Sequence, residues 1–241
     1  MHDVGKIVRE VHSLVREKVR PGATTRELDT YAHELCRKFK VEPAFLNYPS
    51  NTAGVIPFPG VLCVSKNEVI VHGIPDDVPL KEGDILSVDF GCSYKGYFGD
   101  SAYTYALGKI SDKAQELLQI TEASLAAAIE QCVPGKRIGD ISYAVQNLVE
   151  PRGFGVVRDF VGHGIGKNMH EPPHVPNFGN PAQGRLLRPG MVIAIEPMVT
   201  AGTFSVKILA DGWTAVTADG SLSAHFEHTV AVTENGPLIL T

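Results

Sequence analysis

The chain has 241 residues, of which 44% are hydrophobic and 20% are charged, an ordinary globular composition with enough apolar residues for a sizeable core. The formal net charge is -5, and no long run of like charges occurs. These values argue against a basic protein that binds nucleic acid.

The N-terminal segment predicts an amphipathic helix that ends at Pro21-Gly22. Its apolar residues recur at helical spacing and are Val4, Ile7, Val8, Val11, Leu14 and Val15. Charges are spread through the segment and it lacks a long apolar run, so we do not expect a signal peptide. No stretch of the chain approaches the roughly 18–20 apolar residues that a membrane-spanning helix needs.

A second helix and several short strands follow. Thr24 and Glu27 have the spacing of a capping box for this helix. Its apolar face consists of Leu28, Tyr31, Leu35 and Phe39. Residues 43–60 are rich in proline, glycine and asparagine and predict a loop. Runs of β-branched residues then predict strands at 61–64, 69–72 and 85–90.

The rest of the chain predicts the same order of elements again. Ser111 is suited to cap a helix over 112–131, and Pro134-Gly135 separates it from a helix over 138–150. Strand-like runs return at 156–161, 191–196, 204–210 and 228–233.

Two segments at equivalent places in this order are similar. LKEGDILSVD (80–89) aligns with LRPGMVIAIE (187–196), and in both a carboxylate ends an apolar strand six residues after a glycine. Chance similarity is the alternative, since glycine before an apolar run is common. Because the order of elements also matches, we interpret residues 1–241 as one α/β domain of two related halves, about 1–110 and 111–241, with a site at their junction.

Asp89 and Asp100 lie on the two arms of a predicted hairpin. The sequence SYKG (93–96) has the pattern of a four-residue turn, and folding about it places Asp89 opposite Asp100. The Cβ atoms of opposed residues are about 4.5–5.5 Å apart, so two ionised carboxylates there would repel. A cation between them, or a proton on one of them, would relieve that repulsion. A solvent-exposed hairpin with two screened aspartates is the alternative.

Three further residues have the character of metal ligands. Glu196 ends the apolar run MVIAIE, Glu227 enters an apolar strand, and His163 lies between glycines in VGHGIG. Glycine permits close approach by other groups, although one histidine beside glycine is weak evidence by itself. Several carboxylates with one imidazole suit Mn, Fe, Co or Zn. Two such ions bridged by carboxylates could activate water for amide hydrolysis.

Five sequence motifs contain these residues. They are HGIPDD (72–77), VDFG with GDSA around Asp89 and Asp100, FVGHGIGKNMHEPP (160–173), PGMVIAIEPM (189–198) and SLSAHFEHT (221–229). Together, and over nearly the whole chain, they resemble the type I methionine aminopeptidases. The resemblance implies an α/β (α+β) architecture, the pseudo-twofold symmetric pita-bread (creatinase/aminopeptidase) fold, in which helices flank an antiparallel sheet.

The resemblance also implies a role for each candidate residue. The metal ligands would be Asp89, Asp100, His163, Glu196 and Glu227. Asp100 and Glu227 would bridge two divalent ions. Asp89 would hold one ion, and His163 with Glu196 would hold the other. Glu196 would also shuttle the proton of the attacking water.

Histidines outside the ligand set fall into two groups. By the same resemblance, His72 and His170 would contact the scissile amide and the tetrahedral intermediate. We expect His174, His225 and His228 to be structural or at the surface.

A pocket for the methionine side chain is implied as well. The matching positions are Phe45, Tyr48, Phe58, Cys63, Met169 and Trp213. A thioether suits such a lining because sulfur packs well against aromatic rings. The alternative is that these are ordinary core residues.

The expected activity is removal of the initiator methionine from nascent proteins when the second residue is small, by a hydroxide activated at a dinuclear centre. The cofactors would be two divalent ions, Co, Mn, Fe or Zn. The expected partners are nascent N-termini at the ribosome, and the expected form is a cytoplasmic monomer with reduced cysteines. The alternatives are an X-Pro aminopeptidase or prolidase of the same fold, and a metal-free peptide-binding module.

Overall fold

Four α-helices form in the computed structural model, which describes residues 1–50 and 52–241. They are α1 (His2–Arg16), α2 (Thr25–Phe39), α3 (Asp112–Glu130) and α4 (Ile138–Val149), with a 3-10 turn over Glu150–Arg152. The predicted capping box is confirmed, because the Thr24 side chain accepts from Glu27 N while Glu27 accepts from Thr24 N. Ser111 accepts from Ala114 N at 3.2 Å. These contacts satisfy amides that have no partner within the helix, so α2 and α3 begin there.

The strands follow one another in short segments separated by turns. They are β1 (Glu42–Pro43), β2 (Cys63–Lys66), β3 (Val69–Val71), β4 (Ile85–Tyr94), β5 (Tyr97–Ala106), β6 (Gly155–Val156), β7 (Gly162–Gly164), β8 (Glu171–Val175), β9 (Val192–Ile195), β10 (Met198–Thr200), β11 (Val206–Ile208), β12 (Ala215–Thr217), β13 (Ser223–His225), β14 (Glu227–Thr233) and β15 (Gly236–Ile239).

A nine-stranded antiparallel sheet dominates the fold. Its order is β1-β4-β5-β14-β9-β7-β8, with β2 on β4 and β15 on β14. Two smaller sheets, β13-β10-β6 and β11-β12-β3, complete the architecture. The expected mixed α/β fold with an antiparallel sheet and flanking helices is therefore confirmed. Within the described residues, no helix has the length and apolar character needed to cross a membrane.

Two apolar cores join the helices to the sheet. One buries the valines of α1 and the leucines of α2 against β4, with Val8, Val11 and Phe90 fully enclosed. The other buries α3 and α4 against β9, β10 and β14. Because the helices cover the sheet in this way, β4 is buried on both faces without interruption over 85–88. The one polar residue of this stretch, Ser87, is hydrogen-bonded to the Thr104 hydroxyl at 2.8 Å.

The predicted register of the β4–β5 hairpin is wrong by two residues. The turn contains Lys95 and Gly96 alone, with φ of 51° and 79°, and Tyr94 pairs with Tyr97. Two left-handed residues make a turn whose twist matches that of the strands, so it is favoured over the equally long turn predicted one residue earlier. Asp89 consequently pairs with Ala102, not with Asp100. A two-residue shift keeps both carboxylates on one face, where they are diagonal neighbours.

Other predicted strands are shorter than expected. Only Val156 of the run 156–161 is in a strand, at the end of β6. The run 204–210 contributes Val206–Ile208, whose residues are mostly exposed. Strands β7 and β8 were not predicted, because GHG and EPPHV lack β-branched residues at most positions. The predicted loop 43–60 is irregular after β1, and its residue 51 lies outside the described residues.

Equivalent contacts recur in the two parts of the chain. Leu80 N donates to Ala23 O at 2.8 Å just before α2, and Leu187 N donates to Lys136 O at 2.8 Å just before α4. Each contact ties the start of a similar segment to the start of a helix. This parallel supports the prediction of two related halves within one domain, which stays a prediction.

Candidate metal centre

Five neighbouring strands of the large sheet each bring one predicted ligand to the same place. Asp89 is on β4 and Asp100 is on β5. Glu227 begins β14, Glu196 directly follows β9, and His163 is the central residue of β7. Since these strands are adjacent in the order β4-β5-β14-β9-β7, residues up to 138 positions apart in the chain converge.

The carboxylates of this cluster are buried without enough partners. Asp100 and Glu227 are 3% and 2% exposed, and the Glu196 side chain is 13% exposed. Three buried oxygens have no hydrogen-bond partner among the described residues: Asp89 Oδ1, Asp100 Oδ1 and Glu227 Oε1. Burial of a carboxylate oxygen without a donor destabilises the folded protein. A positive group beside these oxygens would offset that cost.

Burial changes the acidity of each carboxyl group. It raises the pKa of Asp100 to about 7 and that of Asp89 well above its usual value, with Asp100 and Glu196 adding repulsion at Asp89. The pKa values of Glu196 and Glu227 are also raised, first by burial and then by the charge of Asp100. Without a cation the cluster would keep protons near neutral pH.

His163 is oriented as a neutral ligand. Its Nδ1 lies 2.9 Å from the Gly164 carbonyl oxygen, so Nδ1 carries the proton and donates it. Burial, with the neighbouring His170, lowers the pKa of His163 to about 4. The ring therefore presents the free lone pair of Nε2, which lies 3.7 Å from Glu196 Oε1.

The glycines beside His163 allow close approach by other groups, as predicted. A Cβ on Gly162 would collide with the Ala194 carbonyl oxygen of β9. A Cβ on Gly164 would collide with the Pro172 carbonyl oxygen. Strand β7 can therefore pack closely between β9 and β8, and this position places the His163 side chain in the ligand cluster.

The two proposed substrate histidines lie beside the ligands. The His170 ring centre is 4.3 Å from that of His163, and its Nδ1 is hydrogen-bonded to the Tyr48 hydroxyl at 2.8 Å. His72 packs edge-on against Phe160 at 5.2 Å. Burial lowers the pKa of His72 to about 4, so its ring is neutral. Its φ of 58° is uncommon for histidine and is a form of backbone strain that occurs often at functional sites.

One cavity of about 180 Å³ unites the ligands with the apolar residues. Its lining consists of Phe45, Tyr48, Phe58, Cys63, His72, Asp89, Asp100, His163, His170, Glu196, Trp213 and Glu227. Met169 is not among the described lining residues but packs with Phe45, Phe58 and Cys63 in one apolar cluster. Burial raises the pKa of the Cys63 thiol well above its usual value, so it stays protonated.

His225 lies beside the centre, and of the structural or surface role expected from the sequence its burial excludes the surface. It is 2% exposed, and its Nε2 lies 3.7 Å from Glu196 Oε2. It ends β13, one residue before Glu227 begins β14 in the large sheet. His228 contacts Tyr103 and Thr241 away from the cavity, and His174 is exposed on β8.

The donor set fits divalent metal. Asp100, His163 and Glu227 each offer an atom within 4.8 Å of the others, and Asp89 and Glu196 line the same cavity. Carboxylate oxygens with one imidazole nitrogen suit a hard to borderline ion, and such an ion would satisfy the unpaired oxygens.

Comparison with known proteins agrees with this geometry. A model of metallopeptidase family M24 matches residues 1–234. The methionine aminopeptidase of Clostridium perfringens is 51% identical over 241 residues, which is 100% of this chain and 94% of that protein. The crystal structure of methionine aminopeptidase from Thermotoga maritima has a TM-score of 0.95 at 46% identity and covers 100% of this chain and 94% of that one.

A more distant structure shares the fold alone. The prolidase from Pyrococcus furiosus has a TM-score of 0.79 at 21% identity, covering 100% of this chain and 62% of that chain. The expected pita-bread fold is thereby confirmed, and the resemblance in sequence is strongest to the aminopeptidases. This chain belongs to metallopeptidase family M24 and, within it, to the methionine aminopeptidases.

Proposed function

We propose that the protein removes the N-terminal methionine of newly made polypeptides whose second residue is small, with two divalent ions held by Asp89, Asp100, His163, Glu196 and Glu227. The observation that carries this proposal is the shared cavity, in which these side chains face an apolar wall that includes Cys63 and Trp213. The ligand end suits hydrolysis of an amide. The apolar end suits an unbranched thioether.

Glu196 is the proposed proton carrier. Bound metal would supply a polarised substrate carbonyl and a water of lowered pKa. The Glu196 carboxylate is buried and lines the cavity, so it can accept the proton of the attacking water and return it to the leaving amine. Its position between His163 and His225 limits how far it can turn.

His72 and His170 are the proposed donors to the substrate. Both rings line the cavity, and neither is a carboxylate that would repel a developing oxyanion. A neutral imidazole N–H can donate to the oxygen that gains negative charge in the transition state. His170 uses Nδ1 for Tyr48, so only its Nε2 remains for this role.

Cavity size supports the proposed substrate range. Its volume of about 180 Å³ is below the roughly 300–1,000 Å³ of pockets that enclose whole ligands. It therefore suits one side chain. The next substrate residue would then lie outside this volume.

A peptide assay tests this function. Chelator-treated protein is given Mn, Co, Fe or Zn in turn and offered Met-Ala-Ser, Met-Lys-Ser and Ala-Pro-Ser. We expect metal-dependent release of methionine from Met-Ala-Ser and much slower release from Met-Lys-Ser. Comparable rates on both methionine peptides would contradict a confined site.

Two other results would identify the alternatives. Cleavage of Ala-Pro-Ser but not Met-Ala-Ser would indicate an X-Pro peptidase. Peptide binding without cleavage under any metal would indicate a binding module.

A further inference from the structure

The backbone N–H and carbonyl of His225 are both hydrogen-bonded to one side chain. Its N–H donates to Thr104 Oγ1 at 2.9 Å, and its carbonyl oxygen accepts from the same hydroxyl at 2.8 Å. The residue ends β13 and pairs with Met198 of β10. Because the main chain is held by two contacts and the residue is 2% exposed, its ring has little freedom to turn.

The Nε2 atom of His225 faces the Glu196 carboxylate. Nε2 is buried without a hydrogen-bond partner among the described residues, and Glu196 Oε2 is 3.7 Å away. That separation is longer than a hydrogen bond. A rotation of the carboxylate that moves Oε2 by less than one ångström would shorten the Nε2–Oε2 distance to about 2.9 Å. A buried N–H left without an acceptor costs about 1–3 kcal/mol, so a hydrogen bond from His225 Nε2 to Glu196 Oε2 would be favoured.

The two oxygens of Glu196 face different histidines. Oε1 lies 3.7 Å from His163 Nε2, and Oε2 lies 3.7 Å from His225 Nε2. His163 is in the cavity lining, whereas His225 is not among the described lining residues. Glu196 is therefore the cavity residue through which His225 would act on a metal.

We propose that His225 is a positioning residue whose Nε2–H donates to Glu196 Oε2 in the metal-loaded enzyme, leaving Oε1 directed towards His163 and the metal. This inference rests on the proposed function, because it assigns Glu196 as ligand and proton carrier. A donor that orients a ligating carboxylate changes metal affinity or activity by about 10- to 100-fold when it is lost. Since His225 does not touch the cavity, kcat should change and KM should not.

Two substitutions separate the hydrogen bond from the volume of the ring. In His225→Gln the amide nitrogen can occupy the place of Nε2 and still donate. His225→Leu fills a similar volume without a donor. We expect His225→Leu to bind Mn²⁺ about 10- to 100-fold more weakly and to lose kcat by a similar factor. The Mn²⁺ affinity and kcat of His225→Gln should stay much closer to those of the wild type.

The measurements are Mn²⁺ affinity and stoichiometry by calorimetry, kcat and KM on Met-Ala-Ser, and the melting temperature in chelator. His12→Leu is the matched control, because His12 is also buried with an unpartnered ring nitrogen but contacts the Ser101 carbonyl, not a carboxylate. It should leave Mn²⁺ affinity unchanged. A double-mutant cycle adds a second test, since His225→Leu should weaken Mn²⁺ binding no further in a Glu196→Gln background.

Several outcomes would overturn the inference. One is wild-type Mn²⁺ affinity and kcat in His225→Leu. Another is an equal loss in His225→Gln and His225→Leu, and a third is an undiminished effect of His225→Leu in the Glu196→Gln background. A wild-type protein that neither binds Mn²⁺ nor cleaves the peptide would remove the proposed function itself, so the two failures are distinguishable.

Discussion

The Tyr48 hydroxyl and His170 Nδ1 share a hydrogen bond of 2.8 Å across 122 positions of sequence. Tyr48 lines the apolar part of the cavity, and His170 lies against the metal-ligand cluster. The contact therefore links the proposed methionine pocket to a proposed catalytic histidine. It also fixes which nitrogen of His170 remains for a substrate.

Removing this hydrogen bond should slow catalysis without emptying the pocket. We expect Tyr48→Phe to lower kcat by about 2- to 10-fold, the range for one hydrogen bond of 0.5–1.5 kcal/mol. KM for Met-Ala-Ser should change little, because the aromatic ring remains. Steady-state kinetics measure both values. The control is Tyr143→Phe, at an exposed position of α4. An unchanged kcat in Tyr48→Phe would show that the contact does not orient His170.

Metal ligands and substrate donors should respond differently to substitution. His163→Ala removes a ligating nitrogen, so metal affinity and activity should fall together. His170→Ala and His72→Ala should keep metal but lose about 10²–10³ in kcat, equivalent to about 3–4 kcal/mol, through loss of a donor to the oxyanion. Calorimetric stoichiometry and kcat are measured for each variant. Equal metal loss in His170→Ala and His163→Ala would reverse the assignment.

Metal binding should stabilise the fold. The unpaired oxygens of Asp89, Asp100 and Glu227 gain a partner only in the native state, so free metal at 100 times its Kd should add about 2.7 kcal/mol. For a chain of this size that raises the melting temperature by about 5–10 °C. Thermal scans with chelator and with excess Mn²⁺ measure the shift. The shift in melting temperature should shrink in Glu227→Gln and persist in Asp77→Asn, an exposed control. Equal wild-type melting temperatures with chelator and with Mn²⁺ would argue against the metal centre.

The metal-free protein should become less stable between pH 6.5 and pH 8. The pKa of Asp100 is raised by burial to about 7 from an ordinary 3.8. A raised pKa in the folded state contributes stability that is lost as pH rises through that value. The histidines whose pKa values burial lowers, among them His72 and His163 at about 4, contribute the opposite trend, which fades above their ordinary value of 6.5.

Melting temperatures at pH 6.5, 7.25 and 8 test this sign. In chelator the midpoint should fall across the series, whereas bound metal keeps the carboxylates ionised and should remove the decline. The stabilisation by Mn²⁺ should therefore grow with pH. A metal-free protein that gains stability from pH 6.5 to pH 8 would contradict the raised pKa values of the cluster.

Local features of this protein could be predicted from its sequence. Helix caps such as Thr24 with Glu27 depend on residues three apart, and apolar periodicity depends on neighbours within two helical turns. Both can therefore be predicted from a short stretch of sequence. The motifs around Asp89, His163 and Glu196 indicated the family, which the comparisons then showed.

Long-range pairing was decided only by the tertiary structure. The register that puts Asp89 opposite Ala102 follows from the left-handed turn at Lys95-Gly96, which competes with other turns of similar local preference. The contact between His225 and Glu196 needs β13, β10 and β9 to meet, and no pattern within either segment specifies it. Side chains on one strand alternate with period two, so the sequence determined the face of each ligand, while partners across the sheet were set by hydrogen bonds between strands distant in the chain.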